Sequence, residues 1–235
     1  MAEDIDNMLE AKRQLLLGIS HELRSPLTRS KVHLALLPES SAHLEIAKDI
    51  EMMEQLITEL LESERLNSQH ATLQPETTDL EQLISGLIEK NFDTSSITQK
   101  LERIEASVDI ARLKLLISNL LQNAIIHNGK NQPPPGIYLT SDSSSGKQGF
   151  QITVEDFGKG IAKEHIPFLT EPFYRADPSR QRKTGGYGLG LYLCRMILQA
   201  HGGTLNIESK EEEGTRVICK FPQLTTFPNQ ASIDK

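Results

Sequence analysis

His21 is the side chain of this sequence best suited to nucleophilic chemistry. It lies in the string SHELRSPL at residues 20–27. Near pH 7 an ordinary imidazole is largely neutral and keeps a lone pair for attack, so it needs no metal to become a nucleophile. Glu22 follows directly and can take a proton from the ring. The Ser25 hydroxyl lies one helical turn further along, on the same face as His21.

Three later segments have the residue types of a site for a phosphorylated nucleotide. Asn119 and Asn123 lie one turn apart in a predicted helix, and a neutral amide oxygen can bind Mg²⁺. Asp156 ends a predicted strand and can accept a hydrogen bond from an exocyclic amine such as that of adenine. The glycine-rich segment 185–191 opens a helix, where free backbone N–H groups bind anions. Alone, each also fits a surface amide pair or a plain turn, so the prediction depends on their combination.

The elements around His21 are predicted to be two helices joined by a short turn. The first spans about residues 3–37. His21 lies off the apolar stripe of this helix, so we expect its imidazole to face water. The turn is polar and contains Pro38. The apolar positions of the two helices recur at helical spacing and are Leu9, Leu16, Ile19, Leu23, Leu27, Leu34 and Leu37, then Ile46, Ile50, Met53, Ile57 and Leu60.

A lone hairpin would leave half of this apolar seam in water. Pairing with a second copy into a four-helix bundle would cover it, so we predict a homodimer through residues 3–67. The alternative is a hairpin that packs on the C-terminal domain of its own chain.

Composition narrows the class of protein. The chain has 235 residues, 37% apolar content and a net charge of -7 without a basic run, which argues against nucleic acid as a partner. Cys194 and Cys219 lack metal-ligand spacing and are predicted to be packed thiols in a reducing compartment. No apolar run reaches the roughly 18 to 20 residues that span a bilayer. We therefore expect a soluble fragment that continues an upstream helix, with membrane attachment only through a missing upstream segment.

The overall prediction is an α+β protein in two domains. Residues 1–67 form the helical hairpin, 68–76 a linker, 77–222 an α/β sandwich with helices on one face of a mixed sheet, and 223–235 a disordered tail. Predicted helices of the sandwich cover 80–91, 110–127 and 188–201, and predicted strands cover 101–106, 137–141, 150–156, 204–207 and 215–221.

Two groups of motifs resemble one known family. The string at 20–27 resembles the phosphoacceptor box of two-component sensor histidine kinases, whose usual form has Thr where this chain has Ser25. Segments 119–123, 156–160 and 185–191 resemble the N, G1 and G2 boxes of the catalytic domain of these kinases, a GHKL (Bergerat-type) ATPase fold. Segment 168–175 resembles the F box beside the ATP lid. The resemblance covers about residues 10–222.

The resemblance implies an ATP-dependent protein-histidine kinase. His21 would take the γ-phosphate of Mg-ATP and pass it to an aspartate in the receiver domain of a response regulator. Glu22 and Ser25 match a pattern tied to phosphatase activity toward that regulator. The chain would work in the cytoplasm, and its parent protein would lie in the bacterial inner membrane.

The resemblance also implies roles for individual residues of the second domain. Asn123 matches the Mg²⁺ ligand, with Asn119 on the same wall, and Asp156 matches the acid that reads adenine. Ile126 stands where the family often has Lys or Arg, so one phosphate contact would be missing or supplied by the lid. The remaining implied contacts are Gly158, Gly160 and Thr215 at the adenine, Gly186, Gly188, Leu189 and Gly190 at the phosphates, and Arg175, Arg180, Arg182 or Lys183 as a lid base.

Two other functions fit part of the sequence. A GHKL-type ATPase without phosphotransfer explains the second domain but not the string at 20–27. A non-catalytic dimeric scaffold, with a degenerate nucleotide site, would use the hairpin only for docking a partner.

Overall fold

The computed structural model describes residues 2–38, 40–67, 73–142, 149–176 and 187–222. It divides into two units, Met1–Gln69 and His70–Lys235. The predicted tail at 223–235, and most of the predicted linker, lie outside the described residues. No helix in the described ranges is long and apolar enough to cross a membrane.

The first unit consists of helices α1 (Ala2–Ala35) and α2 (Ser41–Asn67). Leu34, Ile50 and Ile57 are buried in it, whereas Ile46 is 48% exposed and Met53 is 42% exposed. The apolar seam of α2 is therefore only half covered by α1. This is the arrangement expected for one hairpin of a larger bundle.

The second unit begins with β1 (Pro75–Asp79), which pairs antiparallel with β3 (Glu105–Asp109). A five-stranded sheet has the order β2-β4-β5-β7-β6, formed by Thr98–Leu101, Gly136–Asp142, Gly149–Asp156, Gly214–Pro222 and Thr204–Lys210. Only its β2–β4 pair is parallel. The unit also contains helices α3 (Leu80–Asn91), α4 (Ile110–His127) and α5 (Gly190–Ala200). The predicted α+β fold class and mixed sheet are confirmed.

Alternation along the strands separates an inner and an outer face of the larger sheet. Phe150, Ile152 and Val154 of β5 are buried, as are Cys219 and Phe221 of β7. Successive side chains of a strand point to opposite faces. Asp156, two residues beyond Val154, therefore lies on the apolar inner face, at the end of its strand.

Two segments differ from the predicted elements. The strand predicted at 101–106 is wrong, because β2 ends at Leu101 and β3 begins at Glu105. The chain changes sheets between them, since β2 pairs with β4 and β3 pairs with β1. Pro75 and Glu76 were expected in the linker, but they begin β1 opposite Asp109 and Val108. These partners are distant in sequence, so no local pattern indicates them.

His201 joins the end of α5 to the start of α4. Its Nε2 accepts a hydrogen bond from the Asp109 backbone N–H at 3.2 Å, and its Nδ1 lies 2.7 Å from the carbonyl oxygen of Ile197. The backbone amide can only donate, so the ring is neutral with its proton on Nδ1. Burial lowers the pKa of His201. The hydrogen bond to Ile197 and the nearby Asp109 oppose this effect, and Arg112 adds to it.

We expect the free energy of unfolding to fall as the pH drops below about 6.5, the ordinary histidine pKa. In that range the unfolded chain binds a proton that the buried His201 ring resists. His201→Gln should therefore show a shallower loss of stability between about pH 7 and pH 5, measured by urea unfolding. His33→Gln, which replaces an exposed histidine of α1, is the control. Equal slopes for wild type and His201→Gln would contradict the assignment.

Candidate nucleotide-binding site and phosphoacceptor

Helix α4 carries the two asparagines of the predicted nucleotide site. The Asp109 side chain accepts a hydrogen bond from the Arg112 N–H and caps the start of the helix. Asn119 is only 6% exposed, and its Nδ2 atom has no hydrogen-bond partner among the described residues. Asn123, one turn later, is half-buried. Leaving a buried amide unpaired is costly, so Asn119 is suited to a bound ligand.

The start of α5 lies against the same two asparagines. A Cβ atom added to Gly190 would lie 3.8 Å from Asn119 Cγ and 3.9 Å from Asn123 Nδ2. Leu189, just before the helix, is buried. The first N–H groups of a helix have no partner within the helix and favour anions. The structure thus brings together the amide pair and the helix start that the sequence predicts to meet at a nucleotide.

Gly188 lies two residues before α5, against the backbone of Phe173 and Tyr174. Its φ of 76° is one that glycine tolerates best, and a Cβ there would lie 2.6 Å from the Tyr174 carbonyl oxygen. Its own carbonyl oxygen accepts a hydrogen bond from Phe173 N at 3.0 Å. Arg175, which follows Tyr174 in the chain, is half-buried. The predicted residues Gly186, Arg180, Arg182 and Lys183 lie outside the described residues.

Asp156 ends β5 directly opposite Thr215 of β7. Its Oδ1 accepts a hydrogen bond from Gly158 N at 2.9 Å, and the carboxylate also accepts one from the Thr215 backbone. Burial raises the pKa of Asp156, and these two hydrogen bonds act in the opposite direction. The side chain is therefore a fixed acceptor in a partly desolvated setting, as the recognition of an amino group requires.

The turn after Asp156 passes between two backbone segments. A Cβ atom on Gly158 would lie 2.0 Å from the His127 carbonyl oxygen at the end of α4. Gly160 has a φ of 66°, and a Cβ there would lie 1.9 Å from the Lys210 carbonyl oxygen. Both distances are far below contact, so a larger residue would move the turn. Gly158 thus allows the Asp156 turn to lie next to the end of α4, which carries the asparagines, and Gly160 allows it to lie against Lys210.

Sequence reasoning missed two residues that hold this turn. Asn128 accepts a hydrogen bond from Phe157 N at 2.9 Å and donates one to the Pro133 carbonyl oxygen at 2.9 Å. Ser209 of β6 accepts a hydrogen bond from Ile161 N at 2.9 Å. An asparagine directly after a helix signals a cap, whereas nothing near Ser209 in the sequence indicates its partner.

The predicted phosphoacceptor lies in the other unit. His21 is part of α1, and its ring lies outside the described residues, so its exposure stays a prediction. Glu22 and Ser25 are both exposed on α1. Exposed acid and hydroxyl groups beside His21 fit a surface on which a second protein or domain can act.

The fold of the second unit is that of the GHKL class of ATP-binding domains. Residues 108–225 match the family of histidine kinase-, DNA gyrase B- and HSP90-like ATPases. Residues 11–69 match the His Kinase A (phospho-acceptor) domain. The chain belongs to the sensor histidine kinases of two-component systems.

Curated relatives agree with this assignment. The sensor protein RstB of Escherichia coli (strain K12) is 35% identical over a 244-residue alignment that covers 99% of this chain and 54% of the relative. The sensor protein VanSC of Enterococcus gallinarum is 35% identical over 220 residues, covering 86% of this chain and 59% of the relative. The chain thus spans somewhat more than half the length of these two proteins.

Solved structures show the same fold. Full-length ShkA in complex with AMPPNP matches with a TM-score of 0.67 at 21% identity, covering 89% of this chain and 45% of that chain. A nucleotide-free catalytic domain of the histidine kinase ThkA matches with a TM-score of 0.50 at 28% identity, covering 64% of this chain and 97% of that domain.

Asp156→Asn should weaken the binding of ATP by about 10- to 100-fold, because a neutral amide replaces the charged carboxylate as the acceptor. Binding of inorganic triphosphate, which has no amino group, should change little. Calorimetric titration of both ligands measures the difference, with Asp49→Asn on the exposed surface of α2 as the control. An equal loss for both ligands would show that Asp156 does not read the base.

Proposed function

We propose that this chain is a histidine kinase core that phosphorylates His21 with ATP and passes the phosphoryl group to an aspartate of a response regulator. The observation that carries the proposal is the meeting of Asn119, Asn123 and the N-terminus of α5 at one place. A buried unpaired amide beside a helix start suits a polyphosphate. The His Kinase A match over residues 11–69 supports His21 as the acceptor.

In the proposed reaction, Nε2 of His21 attacks the γ-phosphorus in line. The new P–N bond forms as the bond to the bridging oxygen breaks, and ADP leaves. Glu22 accepts the proton from Nδ1, a general-base role worth typically 10²- to 10⁴-fold. Ser25 is proposed to orient the water that later dephosphorylates the regulator.

The second unit binds and orients the nucleotide in this proposal. Asp156 accepts a hydrogen bond from the adenine amine beside Thr215, and Gly158 and Gly160 shape the pocket. The phosphates would be bound by backbone N–H groups of Gly186, Gly188, Leu189 and Gly190. Of the basic residues proposed for the ATP lid, Arg175 lies within the described residues and is the candidate that would contact the γ-phosphate.

Asn123 would hold Mg²⁺ through its amide oxygen, with Asn119 on the same wall. Asn123 is half-buried beside Gly190 and can offer a single oxygen ligand. This suits Mg²⁺, which usually takes most of its ligands from phosphate and water oxygens. Bound there, Mg²⁺ would neutralise charge on the phosphates.

The two roles are proposed to divide between residues 1–67 and 75–222, the second range including the start of β1. The linker is proposed to cover 68–74, because Pro75 already belongs to β1. Phosphoryl transfer depends on positioning, so this linker would allow the nucleotide and His21 to meet. We propose that the chain acts on the cytoplasmic side of a bacterial inner membrane that holds its parent protein.

Labelling with γ-³²P-ATP tests the kinase proposal. Wild-type protein should gain acid-labile, base-stable phosphate, and His21→Gln should gain none. His33→Gln, on the same helix, should label like wild type, and chelation of Mg²⁺ should abolish labelling. Equal labelling of His21→Gln would remove the central assignment. ATP turnover without incorporation would instead favour a plain GHKL ATPase.

The homodimer proposal rests on the half-covered seam of α2. Met53 is 42% exposed although it belongs to that seam. Met53→Glu should lower the dimer fraction by at least tenfold in sedimentation experiments, because a carboxylate would enter an apolar interface. Lys48→Glu changes an exposed charge of the same helix and serves as the control. A dimer unaffected by Met53→Glu would place the interface elsewhere.

A further inference from the structure

Ser209 faces the inner side of the sheet, next to the Asp156 turn. It alternates with exposed neighbours along β6 and lies on the same face as Ile207. In the strand pairing, Ser209 lies opposite Thr215, which lies opposite Asp156. The three side chains therefore form a row across β6, β7 and β5 on one face.

The hydroxyl of Ser209 makes three contacts, and the directions of two of them are determined by backbone partners. It lies 2.8 Å from the Gly214 carbonyl oxygen, which can only accept, so Ser209 donates its single proton there. It lies 2.9 Å from Ile161 N, which can only donate. Its third partner is Thr215 Oγ1 at 2.9 Å. With its proton already donated, Ser209 must accept the proton of Thr215.

This arrangement fixes what Thr215 can offer to a ligand. Because its proton is directed at Ser209, the Thr215 hydroxyl can only accept a hydrogen bond from a ligand. The neighbouring Asp156 carboxylate also acts as an acceptor. The purine substituent that meets this pair must therefore be a donor, as the 6-amino group of adenine is and the oxygen of a 6-keto purine is not.

Ser209 also links two backbone segments around the pocket. Through Ile161 N it holds the end of the turn that starts at Asp156, and through Gly214 it holds the start of β7. A second backbone bond, from Glu212 N to the Lys159 carbonyl oxygen at 2.7 Å, ties the same turn to the same hairpin. The turn can thus remain in place when the Ser209 hydroxyl is removed.

We propose that Ser209 is a positioning residue that makes the site select 6-amino over 6-keto purine nucleotides, by holding the Thr215 hydroxyl as an acceptor. The proposal rests on the proposed function, in which Asp156 and Thr215 face the base. Without Ser209, the Thr215 hydroxyl can rotate and donate to a 6-keto oxygen. Discrimination between the two kinds of base then falls, which a purely structural role would not cause.

The test compares the binding of ATP and ITP, which differ in the 6-amino and 6-keto groups, to the full chain by calorimetry. Ser209→Ala should reduce the ratio of the two affinities by about tenfold, the value of one hydrogen bond. Ser209→Thr keeps the hydroxyl and should retain the wild-type ratio. Thr204→Ala removes an exposed hydroxyl from the same strand and should also leave the ratio unchanged.

A double-mutant cycle with Thr215→Val separates the outcomes. Once the Thr215 hydroxyl is absent, Ser209→Ala should no longer alter the ATP-to-ITP ratio. If Ser209→Ala weakens the binding of ATP and ITP equally, or leaves the ratio of their affinities unchanged, the inference is overturned. Binding of ATP by the wild-type protein would still support the proposed function in that case. Failure of the wild type to bind ATP overturns both.

Discussion

The nucleotide site depends on backbone segments that approach one another around the end of β5 more closely than any side chain would permit. Gly158 lies against the end of α4, and Gly160 lies against Lys210 of the β6–β7 hairpin. Gly214 closes the arrangement, since a Cβ there would lie 2.0 Å from the Asp156 carbonyl oxygen. Because interiors are close-packed, these contacts fix the Asp156 carboxylate without large apolar residues.

A second constraint sets the relation between the helices of the site. The His201 ring at the end of α5 binds the Asp109 N–H at the start of α4. The Asp109 carboxylate accepts hydrogen bonds from Gln74 N, just before β1, and from Arg112 N, inside α4. One buried cluster thus joins three elements at the side of the unit where α4 begins. Fixing that end helps to hold the asparagines of α4 against the N-terminus of α5.

The helical unit shows the opposite condition, because its apolar surface is left incomplete. Ile50 and Ile57 are buried, and Ile46 and Met53, on the same seam, are exposed. Exposed apolar patches of this kind mark interaction surfaces in soluble proteins. A unit with a buried, unpaired Asn119 amide and a helical unit with an incompletely covered apolar seam suit different roles, one binding a small ligand and the other binding proteins.

Local patterns in the sequence were sufficient to predict the features that arise within one or two helical turns. The helix at 80–91, and the one at 110–127 that carries Asn119 and Asn123, follow from the spacing of apolar residues, which acts locally. In contrast, the folded protein was needed to show that β2 and β3 belong to different sheets and that Ser209 binds Ile161 and Thr215. Strand pairing joins residues far apart in the chain, so its energy depends on a partner that no local pattern specifies.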